Sequence, residues 1–226
     1  MLGEFANAKV YLQKALSLVP PTQREHNTIR KHLRRAMKGI ELQESLSTLP
    51  PDHHRGTMRI YEKLGDLCCK VTGYQRGLEY YQKQLACAEN LKLPDEERAM
   101  IYFSLGSTYF DLKDYKQAIS HYETELIFQE DHPREKCKTW LHLAAAKGMD
   151  GAGSNEVDRC YQNALQLAKE SNDPRLQTDI HLRRGYTKAH TGISRGVAFK
   201  PELHQGTHRF GQTRNEIFHR NRPRPK

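Results

Sequence analysis

The side chains best suited to nucleophilic or metal chemistry in this sequence are five cysteines and a set of scattered histidines. The cysteines are odd in number and lack metal-ligand spacing: Cys68, Cys69, Cys87, Cys137 and Cys160. His53 and His54 follow Pro51-Asp52 and are interpreted as solvated loop residues rather than metal ligands. The sequence contains no P-loop and no G-x-G-x-x-G motif. We therefore predict reduced, packed thiols in a cytosolic or nuclear protein that is not an enzyme and has no metal, cofactor or small-molecule substrate.

The positive charge is a second possible source of binding chemistry, and it is unevenly distributed. The net charge of the chain is +9, but residues 186–226 hold nine Lys/Arg and only two Asp/Glu. Residues 1–185 are then nearly neutral, which predicts little general attraction of the helical body to phosphate. The basic tail favours weak, non-specific nucleic-acid binding. No apolar run approaches the ~18 residues of a membrane span, so no membrane partner is predicted.

An internal repeat predicts the helices on which the residues of the chain lie. Six positions recur with identical residue types at one constant offset: Tyr61, Leu64, Gly65, Tyr74, Tyr81 and Leu85 match Tyr102, Leu105, Gly106, Tyr115, Tyr122 and Leu126. Leu64, Gly65 and Cys68 share one helix face, and a second helix begins after the turn residues Thr72-Gly73. Each unit is therefore predicted to be a helical hairpin, with Lys113-Asp114 as the corresponding turn of the next unit.

The same pattern assigns the rest of the chain. Residues 1–20 match the second half of a repeat without its first helix, with a turn at Gly3-Glu4. The apolar positions Val10, Leu12 and Leu16 are therefore expected to be partly exposed, or covered only by the helix of residues 24–46. Residues 21–50 form a degenerate repeat or one long helix. Complete repeats are predicted at 57–93, 95–131 and 134–170, the last with a loose turn near Gly148–Ser154. Residues 174–185 begin a further helix, and residues 186–226 are predicted to be a disordered basic tail.

The hairpins resemble the tetratricopeptide repeat, whose usual period is about 34 residues. That resemblance implies an all-α, right-handed solenoid with extended repeats of about 40 residues. Three stretches narrow the resemblance: Lys63-Leu64-Gly65-Asp66-Leu67, Tyr81-Gln82-Lys83-Gln84-Leu85 and Glu135-Lys136-Cys137-Lys138-Thr139-Trp140-Leu141. Together with the long segment between Pro20 and Pro50, they resemble the later N-terminal repeats of the Tonsoku-like family of animal proteins.

The resemblance to that family implies a chromatin-associated scaffold for recombination repair at stalled replication forks. It implies a nuclear location, with some cytoplasmic protein, and partners that include a histone tail and other fork-repair proteins. The family's ankyrin repeats, acidic stretch, leucine-rich region and earlier hairpins have no counterpart in this sequence. The chain is therefore interpreted as a fragment, or as a shortened product with a divergent tail.

A solenoid binds through the concave face formed by the first helices of its hairpins. With the core placed on Leu64, Gly65 and Cys68, the predicted peptide-binding groove contains eight residues: Glu62, Asp66, Lys70, Phe103, Ser107, Phe110, Asp111 and His142. The acidic members suit a basic peptide, and the two phenylalanines, interpreted as lying off the core stripe, suit apolar anchors. Two alternatives remain open: a structural spacer with no ligand of its own, and nucleic-acid binding through the tail.

Overall fold

The computed structural model describes residues 3–18, 22–129 and 132–193 of the 226-residue chain. Within these ranges the regular structure is entirely helical, as the sequence predicts. The helices are α1 (Gly3–Ser17), α2 (Gln23–Thr48), α3 (His54–Cys69), α4 (Tyr74–Asn90), α5 (Asp95–Asp111), α6 (Tyr115–Phe128), α7 (Pro133–Met149), α8 (Ser154–Glu170) and α9 (Pro174–Ile193). None of them combines the length and the apolar character that crossing a bilayer requires.

The helices are divided between two compact units, residues 1–92 and 93–226. In the first unit, α1 packs on α2, α2 packs on α3, and α3 and α4 form a hairpin. In the second unit, α5 and α6 form one hairpin and α7 and α8 another, with α6 against α7 and α9 against α8. The three hairpins span residues 54–90, 95–128 and 133–170, close to the repeats read from the sequence.

The hairpin turns are built from the same backbone motif at the same place in each unit. Thr72 and Lys113, which are equivalent positions of successive repeats, both adopt a left-handed conformation, with φ of 62° and 65°. The next backbone N–H of each turn reaches back to the helix it follows: Gly73 N donates to Cys68 O at 2.9 Å, and Asp114 N donates to Tyr109 O at 3.0 Å. These are Schellman-type ends, which satisfy carbonyls that the helix leaves without a partner. The predicted turns after α3 and α5 are therefore confirmed.

The glycines of the repeat allow a tyrosine of the second helix to lie against the first. A Cβ atom added to Gly65 would lie 2.7 Å from the Tyr81 ring, and one added to Gly106 would lie 2.8 Å from the Tyr122 ring. Tyr81 and Tyr122 are 4% and 0% exposed. The core predicted on Leu64, Gly65 and Cys68 is confirmed, since all three are buried.

The N-terminal segment agrees with the sequence in part. Residues 23–48 form a single helix with Thr22 as its N-cap: the Thr22 hydroxyl accepts from Glu25 N at 3.2 Å and donates to the Glu25 carboxylate at 2.8 Å. The predicted turn at Gly3-Glu4 is wrong, because both residues lie within α1. The expected exposure of α1 is confirmed, since Val10 is 61% exposed.

The last described helix is longer than the sequence indicated. α9 begins at Pro174 as predicted but continues to Ile193, so residues 186–193 are helical rather than part of a disordered tail. The helix continues because Arg184, Thr187 and Lys188 contact α8, which the short aliphatic pattern did not reveal. The remainder of the predicted tail, residues 194–226, lies outside the described residues.

The contact between α8 and α9 gives the first testable prediction. The Nε and Nη2 atoms of Arg184 each donate to an oxygen of Asp158 at 2.7 Å, and these bonds lower the pKa of the Asp158 carboxyl below its usual 3.8. Asp158→Asn is expected to lower the free energy of unfolding at neutral pH by about 1 kcal/mol. Because a carboxyl with a depressed pKa stabilises the fold only while ionised, the difference from wild type should close as the pH falls below 3.8.

Urea unfolding of both proteins at neutral and acidic pH measures this difference. Asp52→Asn is the matched control, because Asp52 is exposed and should change the stability by less than about 0.5 kcal/mol at either pH. A difference for Asp158→Asn that is unchanged at the acidic pH would contradict the prediction.

Candidate functional site

In the first unit, three of the predicted groove residues lie along one face of α3. Glu62, Asp66 and Lys70 recur at every fourth position, so they follow one stripe of the helix, and each is half-buried. The Tyr81 hydroxyl donates to the Asp66 carboxylate at 2.7 Å. Burial, followed by the charge of Asp66, raises the pKa of Tyr81 well above its usual value. Tyr81 therefore remains a neutral donor that holds the Asp66 carboxylate in place.

In the second unit, Ser107 and Asp111 occupy the corresponding stripe of α5. Ser107 is the counterpart of Asp66 in the repeat, and it accepts from the Tyr122 hydroxyl at 3.2 Å. Asp111 lies one turn further along α5, but it is only 9% exposed and both of its carboxylate oxygens are buried, so they do not line an open face. The α5 face thus repeats the tyrosine contact of the α3 face, with the Ser107 hydroxyl in place of the Asp66 carboxylate.

The three remaining predicted groove residues are in the core, which corrects the expectation that the phenylalanines lie off it. Phe103 and Phe110 are 4% and 5% exposed and belong to the hydrophobic cluster of the second unit. The Phe103 ring contacts Tyr122 of α6 at 5.8 Å and His142 of α7 at 5.1 Å between ring centroids. Because α5 is covered by both α6 and α7, an aromatic residue beside its main apolar stripe is also buried. His142, itself buried, packs in the same cluster.

The sequence pattern missed the part that Tyr81 and Tyr122 have in these faces. Both were assigned to the core from their periodicity, and their rings do lie there. Their hydroxyl groups, however, reach a residue of the groove stripe on the first helix of the same hairpin. The signal was a constant separation, since Tyr81 follows Asp66 by the same interval as Tyr122 follows Ser107.

The cysteines are all thiols rather than disulfides, and four of the five are buried, as the sequence predicts. Burial raises the pKa of the Cys87 and Cys160 thiols and raises that of Cys137 to about 12. A thiol is the unreactive form of cysteine, so these residues are suited to packing rather than to nucleophilic chemistry. His53 and His54 are exposed at the start of α3. The described part of the chain contains no group of acidic, histidine or cysteine residues that could hold a metal ion.

One short stretch of the sequence matches a catalytic motif. Gly192-Ile193-Ser194-Arg195-Gly196 fits the G-x-S-x-G motif of serine hydrolases. That motif requires a strand followed by a sharp turn into a helix. Here the stretch starts at the end of α9, and no strand occurs in residues 3–18, 22–129 or 132–193. We assign it no catalytic role.

Comparison with known proteins agrees with the helical hairpins and their repeat. The tetratricopeptide repeat family model matches residues 56–126. Among solved structures, the BtubC (BKLC) protein of P. vanneervenii aligns with 100% of this chain and 93% of its own at a TM-score of 0.61 and 13% identity. A Podosopora anserina kinesin light chain with TPR-like repeats aligns with 96% of this chain and 98% of its own at a TM-score of 0.57 and 12% identity. The chain is an all-α tetratricopeptide-repeat protein of the solenoid class, a fold that generally serves as a protein-interaction scaffold.

Sequence similarity points to one group of such proteins. The chain is 36% identical to the Tonsoku-like proteins of Danio rerio and Bos taurus over 179 residues, which is 79% of its length. It is 31% identical to the Tonsoku-like protein of Drosophila melanogaster over 169 residues. The alignments cover 12% of the Danio rerio protein and 13% of the Bos taurus protein. The chain therefore spans only a small part of the length of these relatives.

Proposed function

We propose that the first-helix face of α3 binds an extended basic segment of a partner protein, namely a histone tail. The observation that supports this most directly is the oriented carboxylate of Asp66, which Tyr81 holds on the same stripe as Glu62. A fixed carboxylate beside a second acidic side chain favours Lys or Arg, because the fixed group need not be ordered when the ligand binds.

In the second unit, Ser107 presents a hydroxyl on the α5 face, whereas both carboxylate oxygens of Asp111 are buried. Phe103, Phe110 and His142 form the packed layer behind that face and fix the position of α5. Lys70 lies at the end of the α3 stripe, where the acidic surface ends. Its positive charge would repel a partner whose own basic residue lies at the same position. Because each partly exposed charge contributes only ~0.2–1 kcal/mol, we expect moderate, salt-sensitive affinity from several contacts.

The similarity to Tonsoku-like proteins directs the proposal to histones and to repair at stalled replication forks in the nucleus. The residues themselves favour only a basic, extended ligand. A structural spacer with no ligand of its own is the second candidate, and it is supported by the small share of the relatives' length that this chain covers.

Titration of the full chain with a fluorescent basic histone-tail peptide tests this function. Glu62→Gln combined with Asp66→Asn removes both charges while leaving an oxygen to accept from Tyr81. The loss of two charges should weaken binding by ~0.4–2 kcal/mol, or roughly 2- to 30-fold.

The matched control is Glu44→Gln combined with Glu89→Gln, which removes the same charge from exposed positions of α2 and α4 in the same unit. Equal weakening by both double variants would show that net charge, rather than the α3 face, governs binding. If the wild-type chain does not bind the peptide, a structural spacer is the better account of its function.

A further inference from the structure

The near-neutral charge of the helical region conceals a strong asymmetry. Residues 1–92 contain fifteen Lys/Arg and nine Asp/Glu, a net charge of +6, whereas residues 93–185 contain twelve and sixteen, a net charge of −4. Within α2, residues 24–38 hold six Lys/Arg and a single Glu, a net charge of +5. Residues 24–38 of α2 therefore carry most of the excess positive charge of the first unit, which the total for residues 1–185 did not reveal.

Four of these cations form a continuous stripe on the solvent side of α2. Arg24, Lys31, Arg34 and Lys38 are all exposed and, at about 100° per residue, fall within an arc of about 80°. At a rise of about 1.5 Å per residue the stripe is ~21 Å long. We call these four residues the α2 basic stripe.

Buried residues beside and beyond the stripe hold α2 against its neighbours. Ala36 is 4% exposed, and Gly39 lies directly against the Phe5 ring of α1. Arg35, at the flank of the stripe, donates through Nη1 to the Lys70 carbonyl at 3.0 Å, which ties α2 to the end of α3. The stripe is therefore presented on a helix that is fixed on two sides.

The stripe is largely without counter-charges. In the described part of the chain, Arg24, Lys31 and Arg34 form no ion pair, while Lys38 meets Glu41 at 2.7 Å. Both partners of that pair are more than half exposed, so the pair contributes little and opens at small cost. Four like charges on one rigid face produce a local positive potential that attracts an extended anion.

We propose that the α2 basic stripe binds the phosphate backbone of duplex nucleic acid without reading its sequence. A duplex carries one negative charge per ~1.7 Å of its axis, so it offers phosphates to all four cations in any register along the stripe. α2 contains no Phe, Tyr or Trp on which unpaired bases could stack, which disfavours single strands. An acidic peptide has a lower and less regular charge density, and the stripe provides no apolar anchor for one.

The experiment measures binding of a fluorescent, mixed-sequence DNA duplex to the full chain at several salt concentrations. The stripe variant is Lys31→Gln, Arg34→Gln and Lys38→Gln, which keeps good helix formers at exposed positions. The control variant, Lys116→Gln, Lys169→Gln and Arg175→Gln, removes the same charge from exposed positions of α6, α8 and α9. Both variants retain the basic residues 186–226.

Counterion release predicts that the stripe variant lowers the slope of log K against log salt by about 2.7, since each phosphate contact contributes ~0.9. The same relation gives a loss of affinity on the order of 100-fold at about 150 mM salt. Arg34→Gln alone should lower the slope by about 0.9. The control variant should retain nearly the wild-type slope.

Three results would overturn the proposal. Equal losses in the stripe and control variants would show that binding follows net charge or the C-terminal residues. No binding of the duplex by the wild-type chain at low salt would exclude the site. If poly-glutamate binds the wild type more tightly than the duplex and only this binding is lost in the stripe variant, the ligand is an acidic peptide. Far-UV circular dichroism of each variant verifies that the helices remain intact.

Discussion

Replacing Tyr122 with alanine is expected to lower the free energy of unfolding by about 3–5 kcal/mol, the cost of removing a fully buried aromatic ring. Tyr122 is 0% exposed and contacts the rings of Phe103 and His142, so its ring joins α6 to α5 and α7. The surrounding core is contributed by three helices and can collapse only partly into the space that is left. Urea unfolding followed by far-UV circular dichroism measures the loss.

Two control variants separate the ring from its hydroxyl and from a general effect of removing tyrosine. Tyr122→Phe keeps the ring and loses only the bond to Ser107, which should cost about 0.5–1.5 kcal/mol. Tyr11→Ala removes a tyrosine that is 73% exposed and should change stability by less than about 0.5 kcal/mol. If Tyr122→Ala is no less stable than Tyr122→Phe, the ring does not hold these helices together.

Gly106→Ala is expected to destabilise the chain although alanine favours helix. The added Cβ atom would lie 2.8 Å from two carbons of the Tyr122 ring, closer than packed atoms approach. Because that ring is enclosed on all sides, it cannot move away freely, and overpacking of this kind costs about 1–3 kcal/mol. The gain in helix propensity offsets at most about 1 kcal/mol, so the net effect should be a loss of stability.

Gly185→Ala in α9 is the matched control, since a Cβ atom at Gly185 would meet nothing within 4 Å. That variant should be stabilised by up to about 1 kcal/mol, through helix propensity alone. A second comparison tests the cause of the loss: Gly106→Ala combined with Tyr122→Leu should be more stable than the sum of the single effects, because the smaller side chain makes room. Strict additivity in this double-mutant cycle would contradict a clash between these two residues.

The total charge of residues 1–185 does not show how that charge is distributed along the chain. The division at residue 186 correctly located a basic C-terminal region, but residues 1–185 were treated as one neutral body. Their net charge is the sum of +6 from residues 1–92 and −4 from residues 93–185. Because electrostatic attraction acts over about 10 Å at ordinary salt, the charge of each face matters more than the charge of the chain.

The sequence by itself determined the helical hairpins, their turns and most of their core, because these depend on local order. Tyr61, Leu64 and Gly65 recur in the next unit, and so does the left-handed residue of the turn that follows. The backbone conformation differs in one respect from what a glycine-containing turn suggests. The left-handed residue is Thr72, whereas Gly73, the glycine of the predicted turn, has a φ of −81°. The Schellman hydrogen bonds stabilise that conformation at a residue that is not glycine.

Only the tertiary structure decided which side chains of α5 remain available to a ligand. A prediction from periodicity assumes one buried stripe per helix. On that assumption, Phe103 and Phe110 were predicted to lie beside the core rather than in it. α5 instead packs against α6 on one side and α7 on another, so both phenylalanines are buried while Ser107 between them stays partly accessible. The number of neighbours that cover a helix depends on chain segments far away in sequence, and no local periodicity records it.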